Sequence, residues 1–576
     1  MGGAESAQGV GADVLGTTPS KRVALACAGA LFLIALWLRL AGIGWGLPHE
    51  GRHQSLHPDE YLIAATTVAS PYFRPNFYNY GTAYLTLLKV GSDAGAVYGW
   101  VPTGEAVPEW QTLRGVHLTG RVISAVAGAL TVVLVFLTCL LVTNLLGSLV
   151  GALALAVAPG HVVHSQFQTS DALGTLLGAV ALYGVASALG RDRASPSLWL
   201  CVGVLAGLFA GARYSGIVLV PVVVLVALLE GRRLGGAPWR FAGLAAAGAA
   251  LGFFIATPGV LLEWSAFVRD FTYESGHVRE GHGIVFAGTS SGYLFHIGNM
   301  MEAFGTVAML LGVVGLALWA RSRAKMAATV CAFAVLYYVL IGSAEVKFLR
   351  YTLPLLVPLA MGLAYVAGLA HLRGGWARVV PGVALLAIGY STIAPGGTLV
   401  LLQFMRSQDP RDIVATFVEQ SRAPEETVGF VTDPWFYTPP LFPDTGLLGA
   451  NNRVRAMREQ VPYLIVHGPT DGPRKEWDVR LLTEDQPDLL CISSFEFIDH
   501  NRINQPDFVE FMQVLPESYD LVAWAWAGRM QDVDPQPASR EVLRAVFLGT
   551  NQSRRFPLTH DMMYVQPAVC VLRRRN

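Results

Sequence analysis

The apolar run "RVISAVAGALTVVLVFLTCLLVT" at residues 121–143 decides the fold class of this chain. Its one charged residue stands at its start, and about 20 apolar residues are enough to cross the core of a bilayer as a helix. Similar runs recur between residues 23 and 402, so the sequence predicts a polytopic α-helical membrane protein with about eleven transmembrane helices. The predicted spans are 23–43, 121–143, 146–160, 171–189, 197–212, 214–230, 239–257, 293–319, 326–342, 350–370 and 379–402.

The composition excludes several classes of protein. Hydrophobic residues make up 53% of the 576 residues and charged residues 14%, which is far more apolar than a soluble globular chain. The formal net charge is zero, so the chain offers no basic field to a nucleic-acid partner. The six cysteines show no spacing typical of metal ligands. Cys491 and Cys570 either pair as a disulfide outside the cytoplasm or stay as two free thiols.

The distribution of Lys and Arg predicts the orientation of the spans. Basic short loops and Lys21 with Arg22 fall on one side, which the positive-inside rule assigns to the cytoplasm. We therefore expect a multi-pass protein of the cell membrane with a cytoplasmic N-terminus. Nearly every acidic residue of the membrane half falls on the outer side, which indicates a carboxylate-rich cavity there. The basic loops are "GRDRAS" (190–195), "EGRRLGGAPWR" (230–240), "RSRAK" (321–325) and "HLRGGWAR" (371–378).

Composition also divides the chain into three parts. Residues 1–20 are rich in Gly, Ala and Ser and predict a disordered cytoplasmic tail. Residues 21–403 form the predicted membrane domain, whose first outer loop covers 44–120. Residues 404–576 alternate strand-like and helix-like patterns, which predicts a soluble α/β domain on the outer side. This domain has no nucleotide-binding or nucleophile-elbow motif, so we expect it to act as a lid, a scaffold or an acceptor-docking surface.

Three polar motifs interrupt the apolar pattern in a recognisable order. "HPDE" (57–60) opens the first outer loop region, "HSQFQTSDAL" (164–173) begins the fourth span, and "KFLRYTLPLLVPLA" (347–360) enters the tenth. Over about residues 20–400 this arrangement resembles the bacterial relatives of the dolichyl-phosphate-mannose–protein mannosyltransferases. These are integral-membrane glycosyltransferases of the GT-C fold.

The resemblance implies an activity for the chain. It implies transfer of one sugar, of the hexosyl or mannosyl type, from a polyprenyl-phosphate donor to a hydroxyl acceptor on the extracytoplasmic face, with inversion at the anomeric carbon. The acceptor is a protein, a lipid or a glycan of the cell envelope. No cofactor or nucleotide sugar is expected, which agrees with the lack of a nucleotide motif in the sequence.

Asp59 is the predicted catalytic base. A base that serves a water-borne acceptor and a lipid-borne donor has to lie at the membrane boundary, and the resemblance assigns this role to the acidic residue of the first-loop motif. Glu60 is predicted to support it. The alternative is that Pro58, Asp59 and Glu60 only start a helix, where proline and acids are favoured. Both interpretations can hold together.

Asp171 and His164 form the second candidate group. The resemblance gives Asp171 a supporting or acceptor-binding role, whereas its position alone favours a helix cap formed by Ser170 or Asp171. His161 and His164 are three residues apart and could bind a metal ion together with Asp171. No strong ligand motif accompanies them, and the mannosyltransferase branch needs no divalent metal, so we expect no metal site.

The remaining candidates are predicted to bind substrate. Lys347 and Arg350 are three residues apart, as if on one face of a helix, and the resemblance makes them a clamp for the donor phosphate, with Arg213 as a third cation. The alternative is that they anchor the span at the interface. His277 and His282 lie in a loop that either closes over a head group or is simply solvated. Tyr80 either stacks on a sugar or sits in the aromatic belt of the membrane.

Two other functions compete with glycosyl transfer. A transporter or flippase of a sugar-lipid would place ionisable groups near the membrane midplane and often contains inverted repeats, and the sequence shows neither feature. A non-catalytic protein that binds a sugar-lipid would tolerate the loss of Asp59. Both alternatives are therefore less favoured by the sequence than the transferase.

The orientation can be tested with reporters. A reporter fused after residue 420 should report an outer location, and one fused within residues 321–325 should report the cytoplasm, because basic loops stay on the cytoplasmic side of the membrane. Paired alkaline phosphatase and fluorescent protein fusions give the two readings and control each other. A cytoplasmic reading after residue 420 would separate Asp59 from the C-terminal domain and contradict the arrangement.

Overall fold

The computed structural model describes residues 19–191, 195–322, 324–444, 450–466, 476–550, 560–565 and 567–575. Residues 1–18 of the predicted tail lie outside this part of the chain, as do residues 192–194 and Arg323 of the predicted cytoplasmic loops. The described residues form a helical part that ends near residue 406 and a mixed part that follows it. The boundary predicted at residue 404 stays a prediction.

The helical part contains long apolar helices joined by short helices and turns. Short 3₁₀ turns at Tyr214–Val218, Leu349–Thr352 and Gly375–Arg378 precede three of the helices. The helices are Lys21–Leu40, Pro58–Ala69, Ala83–Tyr98, Glu109–Leu140, Leu145–Ala156, Pro159–His164, Asp171–Leu189, Pro196–Ala212, Leu219–Arg233, Pro238–Ala256, Gly259–Leu262, Trp264–Glu280, Gly292–Phe304, Thr306–Arg321, Lys325–Gly342, Leu353–Arg373, Val379–Ile393 and Thr398–Arg406.

Within the described ranges, eight helices are long and apolar enough to cross a membrane, or nine if one bent pair forms a single span. The helices Leu145–Ala156 and Pro196–Ala212, where two further spans are predicted, are apolar but shorter. The multi-pass helical fold is thereby confirmed. The eight are Lys21–Leu40, Glu109–Leu140, Asp171–Leu189, Tyr214–Arg233, Pro238–Ala256, Lys325–Gly342, Leu349–Arg373 and Val379–Ser421.

Three predicted spans differ from continuous helices, and the one at 379–402 is interrupted between Val379–Ile393 and Thr398–Arg406. The span predicted at 293–319 bends by 111° between Gly292–Phe304 and Thr306–Arg321, at Gly305, whose φ of 88° suits a glycine. The span predicted at 146–160 ends at Ala156, and Pro159 starts a second short helix in which its missing N–H costs nothing. These last two breaks follow from residues that disfavour a continuous helix.

Glycines allow close packing of the helices Pro196–Ala212 and Pro238–Ala256. Gly203, Gly207 and Gly211 repeat every four residues on the first helix, and a Cβ atom at Gly207 would lie 2.0 Å from the carbonyl oxygen of Ala249. Only hydrogen fits there, so the two backbones touch. Small residues at this spacing are a common basis of helix association in membranes, where hydrophobicity alone does not separate a helix from lipid.

The mixed part is built around a six-stranded sheet, which confirms the predicted C-terminal α/β fold. Strands β1 (Val428–Phe430), β2 (Leu464–Ile465) and β3 (Leu489–Ser493) pair in parallel, and β4 (Tyr519–Trp526), β5 (Arg529–Pro537) and β6 (Val569–Arg574) pair antiparallel. The strand order is β2-β1-β3-β6-β4-β5. The accompanying helices are Pro410–Ser421, Ala450–Gln460, Ser494–Ile503, Pro506–Ser518 and Arg540–Gly549.

The two cysteines of this domain are free thiols on neighbouring strands. Cys491 lies on β3 and Cys570 on β6, where Cys570 pairs with Ile492 across the ladder. Both side chains are fully buried in the core of the sheet. Of the two alternatives for this pair, the structure therefore has the unpaired one.

Candidate active site

The structure brings the first and third motifs together in an ion pair. Asp59 lies in the first turn of the helix Pro58–Ala69, and its Oδ2 is 3.2 Å from Nη2 of Arg350 in the turn Leu349–Thr352. The N–H of Asp59 donates to Nδ1 of His57, which caps the helix (3.3 Å). The helix-start interpretation of this motif is therefore correct, and it leaves the carboxylate of Asp59 free to meet a cation.

Glu60 points into the protein and makes a different set of contacts. Its two carboxylate oxygens accept from Nε and Nη2 of Arg121 at 3.0 and 2.7 Å, and Oε1 also accepts the N–H of Gln168 at 2.6 Å. Both side chains of the ion pair are fully buried. Burial alone would raise the pKa of Glu60, but Arg121 outweighs it and lowers the pKa to about 2. Glu60 is therefore an ionised brace between helices.

Asp171 is held by Arg213, the predicted third cation. Nη1 of Arg213 forms an ion pair with Oδ1 of Asp171, and the guanidinium lies 5.5 Å from the ring centroid of Tyr351. Ser170, at the cap position of the helix Asp171–Leu189, makes no capping bond with its side chain. Nη2 of Arg213 also reaches the carbonyl oxygen of Arg350 at 3.5 Å. The second carboxylate thus lies beside the Asp59–Arg350 pair.

Lys347 does not share a helical face with Arg350, and that prediction is wrong. Residues 344–348 form no helix, and the 3₁₀ turn begins only at Leu349. The ammonium of Lys347 instead lies 3.2 Å from Oε2 of Glu345 and donates to the carbonyl oxygen of Ser290 at 3.1 Å. Its side chain is 3% exposed. Lys347 is thus a buried cation with partners of its own.

A turn from the C-terminal domain enters the site. Asp561, in the 3₁₀ turn His560–Val565, is fully buried, and its two oxygens accept the backbone N–H groups of Leu349 and Arg350 at 3.1 and 3.0 Å. Nε2 of His164 lies 3.5 Å from Oδ2 of the same carboxylate. Asp561 therefore fixes the backbone from which Arg350 projects.

The same turn also contacts the other half of the ion pair. The ring of Tyr564 meets the ring of His57 edge-on, with centroids 5.0 Å apart. His57 in turn caps the helix that carries Asp59. Asp561 and Tyr564 could not be identified from the sequence, because neither lies in a motif and both are about 500 residues from "HPDE" in the chain. Arg121 had one signal, as the single charge in a long apolar run.

Aromatic and histidine side chains line the approach to Asp59. Burial raises the pKa of Tyr80, the predicted sugar contact, and the negative charge of Asp59 raises it further. Nδ1 of His282 lies 3.0 Å from Nε2 of His277, and the His282 ring meets the ring of Phe348 edge-on at 5.5 Å. Arg350 stacks on that same ring of Phe348, at 4.1 Å. The loop predicted for His277 is wrong, because His277 lies in the last turn of the helix Trp264–Glu280 and only His282 follows that helix. His282 is the one of the two that contacts Phe348.

The predicted absence of a metal ion stays a prediction. Among the described residues, no three His, Cys, Asp or Glu side chains converge closely enough to hold a metal ion. His161, which could join His164 and Asp171, is engaged by Arg39, whose Nη2 lies 2.7 Å from its Nδ1. The three residues thus serve separate contacts.

Comparison with known proteins bears on the resemblance. Residues 113–257 match the family described as dolichyl-phosphate-mannose-protein mannosyltransferase. The predicted family resemblance is confirmed. The segment that matches the mannosyltransferase family contains Arg121, His164, Asp171 and Arg213, while Asp59 and Arg350 lie outside it. No curated protein sequence matches the chain.

Several solved membrane glycosyltransferases are similar to the chain. The oligosaccharyltransferase of Archaeoglobus fulgidus has a TM-score of 0.49 and 14% identity, over 90% of this chain and 75% of that one. ArnT from Cupriavidus metallidurans, bound to undecaprenyl phosphate, has a TM-score of 0.48 and 15% identity, over 83% of this chain and 94% of that one. The Pmt1–Pmt2 complex of S. cerevisiae, bound to the sugar donor, has a TM-score of 0.31 and 17% identity, over 51% of this chain and 38% of that one. All three scores lie below 0.5, so the fold description rests on the chain's own helices and sheet.

The contact of Asp561 can be tested by hydrogen exchange. Asp561→Asn should speed exchange of the amides of Leu349 and Arg350 by about 10- to 100-fold, because a charged acceptor contributes about 1.5–3 kcal/mol to such bonds. Mass spectrometry of a peptide covering 345–352 gives the rate. Asp534→Asn, at an exposed position of β5, is the matched control. Unchanged exchange in Asp561→Asn would show that the carboxylate does not hold this turn.

Proposed function

We propose that the chain transfers a sugar from a polyprenyl-phosphate donor to a hydroxyl acceptor, with Asp59 as general base. The observation that carries this proposal is the contact of 3.2 Å between Asp59 and Arg350. This contact supports the proposal because a carboxylate and a guanidinium meet there, and glycosyl transfer from a lipid phosphate requires a proton acceptor and a phosphate-binding cation. The match to the mannosyltransferase family supports the same reaction class.

Exposure distinguishes the base from its neighbour. The side chain of Asp59 is 25% exposed, so a substrate hydroxyl can reach it, while that of Glu60 is 0% exposed and saturated by Arg121. Asp59 is also held in place on both sides, by the His57 cap and by Arg350. A fixed geometry is what makes a base effective. Glu60 acts by positioning the helix.

The reaction balances with these groups. Asp59 accepts the proton of the acceptor hydroxyl while the hydroxyl oxygen attacks the anomeric carbon from the side opposite the phosphate. The new glycosidic bond forms as the bond from the anomeric carbon to the phosphate oxygen breaks, so the configuration inverts. The leaving polyprenyl phosphate takes the electron pair of that bond. Arg350 then neutralises its charge, because a guanidinium has five donors and only one nitrogen needs to serve Asp59.

Neighbouring groups complete the proposed site. Arg213, held by Asp171, lies next to Arg350, and Tyr80 is the proposed stacking partner of the sugar. His282 packs against Phe348, and His277 contacts His282. Lys347 is bound by Glu345 and Ser290, which argues for a role in holding its loop. The outer face is expected from the distribution of basic loops, and the mannosyl-type donor and the hydroxyl acceptor are implied by the family resemblance; all three are part of the proposal.

Asp59→Asn isolates the role of the base. The amide keeps the size and can still face Arg350, but it cannot accept the proton, so turnover should fall by about 10²–10⁴. Radiolabelled polyprenyl-phosphate sugars and purified protein give the rate, and donor binding should stay near that of the wild type. Asp93→Asn, an exposed acid of the same outer region, is the control. Wild-type turnover in Asp59→Asn at saturating donor would remove Asp59 from the mechanism.

Glu60→Gln should fail in a different way. It leaves Arg121 buried without its counter-charge, so the free energy of unfolding should fall by about 3–5 kcal/mol. The lowered pKa of Glu60 means that the pair stabilises the wild type fully above about pH 4.5 and loses its contribution as the pH falls toward about 2. Thermal unfolding across this range, with Glu105→Gln as an exposed control, measures both effects. A fully stable Glu60→Gln protein would contradict the role as a brace.

A further inference from the structure

We propose that a cavity between the first outer loop and the start of the C-terminal part binds the phosphate group of an anionic membrane lipid. The cavity has a volume of about 420 Å³ and lies where the helix Lys21–Leu40 ends. Its walls are formed by residues within 41–52 and 405–412, together with Arg114. Asp59 and Arg350 are not among the described residues that line it, so it is separate from the proposed catalytic site.

The acidic groups of the cavity wall are already paired. Arg52 donates to both carboxylate oxygens of Asp412 at 3.0 and 3.1 Å. Arg411 donates to both oxygens of Asp409 at 2.7 and 2.8 Å, and the indole N–H of Trp45 also reaches Asp409 at 3.2 Å. Within each pair the charge of the arginine balances that of the aspartate. Neither aspartate therefore has a net charge left for a further cation.

Two more arginines of the wall have no acidic partner in the described part of the chain. Arg114 is exposed and donates one N–H to the carbonyl oxygen of Pro48 at 2.9 Å. Arg406, exposed at the end of the helix Thr398–Arg406, has a side chain without a hydrogen bond or ion pair to any described residue. Their planar guanidinium groups match the oxygens of a phosphate. The wall therefore carries two guanidinium groups that form no ion pair with a described acidic residue.

The rest of the wall suits an amphiphile better than a free ion. Trp45, Leu47 and Met405 border the cavity, each with at most 5% of its surface exposed, and a Cβ atom at Gly44 would meet nothing within 4 Å. A lipid can place its phosphate on the arginines and the upper part of an acyl chain in the open space beside Gly44. Inorganic phosphate would satisfy only the cations and leave that space unfilled.

The position of the arginines agrees with the depth of lipid head groups. Arg114 lies near the start of the membrane-capable helix Glu109–Leu140, and Arg406 ends an apolar helix. Basic residues at helix ends near the membrane surface attract anionic lipids by about 1 kcal/mol each. Two arginines should therefore favour an anionic over a zwitterionic lipid by about 10- to 30-fold.

The cavity shares a loop with the brace of the candidate active site. The carbonyl oxygens of Ile43 and Trp45 accept from Nη1 of Arg121, which holds Glu60. A lipid bound against Trp45 would therefore steady the loop that orients Arg121. This link gives the proposed lipid a structural effect on the helix of Asp59, although lipid binding itself is independent of sugar transfer.

Photo-crosslinking at the cavity tests the proposal. A photoreactive amino acid replaces Gly44, where the structure leaves room, and the purified full-length protein is mixed with phosphatidylglycerol or phosphatidylcholine. Mass spectrometry of the labelled peptide identifies and counts the attached lipid. Phosphatidylglycerol should label this position about 10- to 30-fold more efficiently than phosphatidylcholine, and Arg114→Gln with Arg406→Gln should remove the preference.

Two controls make the outcome decisive. Arg232→Gln with Arg240→Gln removes the same charge from exposed arginines elsewhere and should leave the preference intact. Inorganic phosphate at millimolar concentration should compete only weakly. Equal labelling by the two lipids, or a preference unchanged in Arg114→Gln with Arg406→Gln, would overturn the proposal. Complete competition by inorganic phosphate would overturn its lipid part. No outcome depends on detecting sugar transfer.

Discussion

The buried ion pair between Glu60 and Arg121 is the contact on which the position of the candidate active site depends. Two ions taken out of water are costly unless every donor and acceptor finds a partner. Arg121 therefore also binds the carbonyl oxygens of Ile43 and Trp45, and Glu60 also accepts the N–H of Gln168. These contacts join the end of the first span to three other segments, and Asp59 is placed by the helix that they hold.

Much of the membrane part could be predicted from the sequence because hydropathy is a local property. The span predicted at 171–189 coincides with the helix Asp171–Leu189, and the helix start at Pro58 follows from the same local rules. The breaks after Ala156 and at Gly305 were missed, since an apolar composition continues across both positions. The predicted α/β pattern after residue 404 was also local, and the sheet bears it out.

The candidate site was only partly predictable, because its contacts join distant segments. Asp59 and Arg350 were both candidates from the sequence, but nothing local shows that they touch. Glu60 was predicted only to support Asp59. A helix turns adjacent side chains about 100° apart, so the carboxylate of Asp59 meets Arg350 while that of Glu60 is buried against Arg121. Lys347 was misjudged because a spacing of three suggests a helix, and the chain there is extended. Asp561 carries no motif, and its role exists only through the packing of the two domains.

The entry of Asp561 and Tyr564 into the site has a consequence for biosynthesis. Every membrane-spanning helix is synthesised and inserted before residue 561 leaves the ribosome, so the inserted helices alone lack the groups that hold Arg350 and His57. The C-terminal domain has to fold its sheet and deliver its turn before the ion pair is fixed. A nascent or truncated chain would thus bring its helices into the bilayer without an ordered Asp59–Arg350 pair.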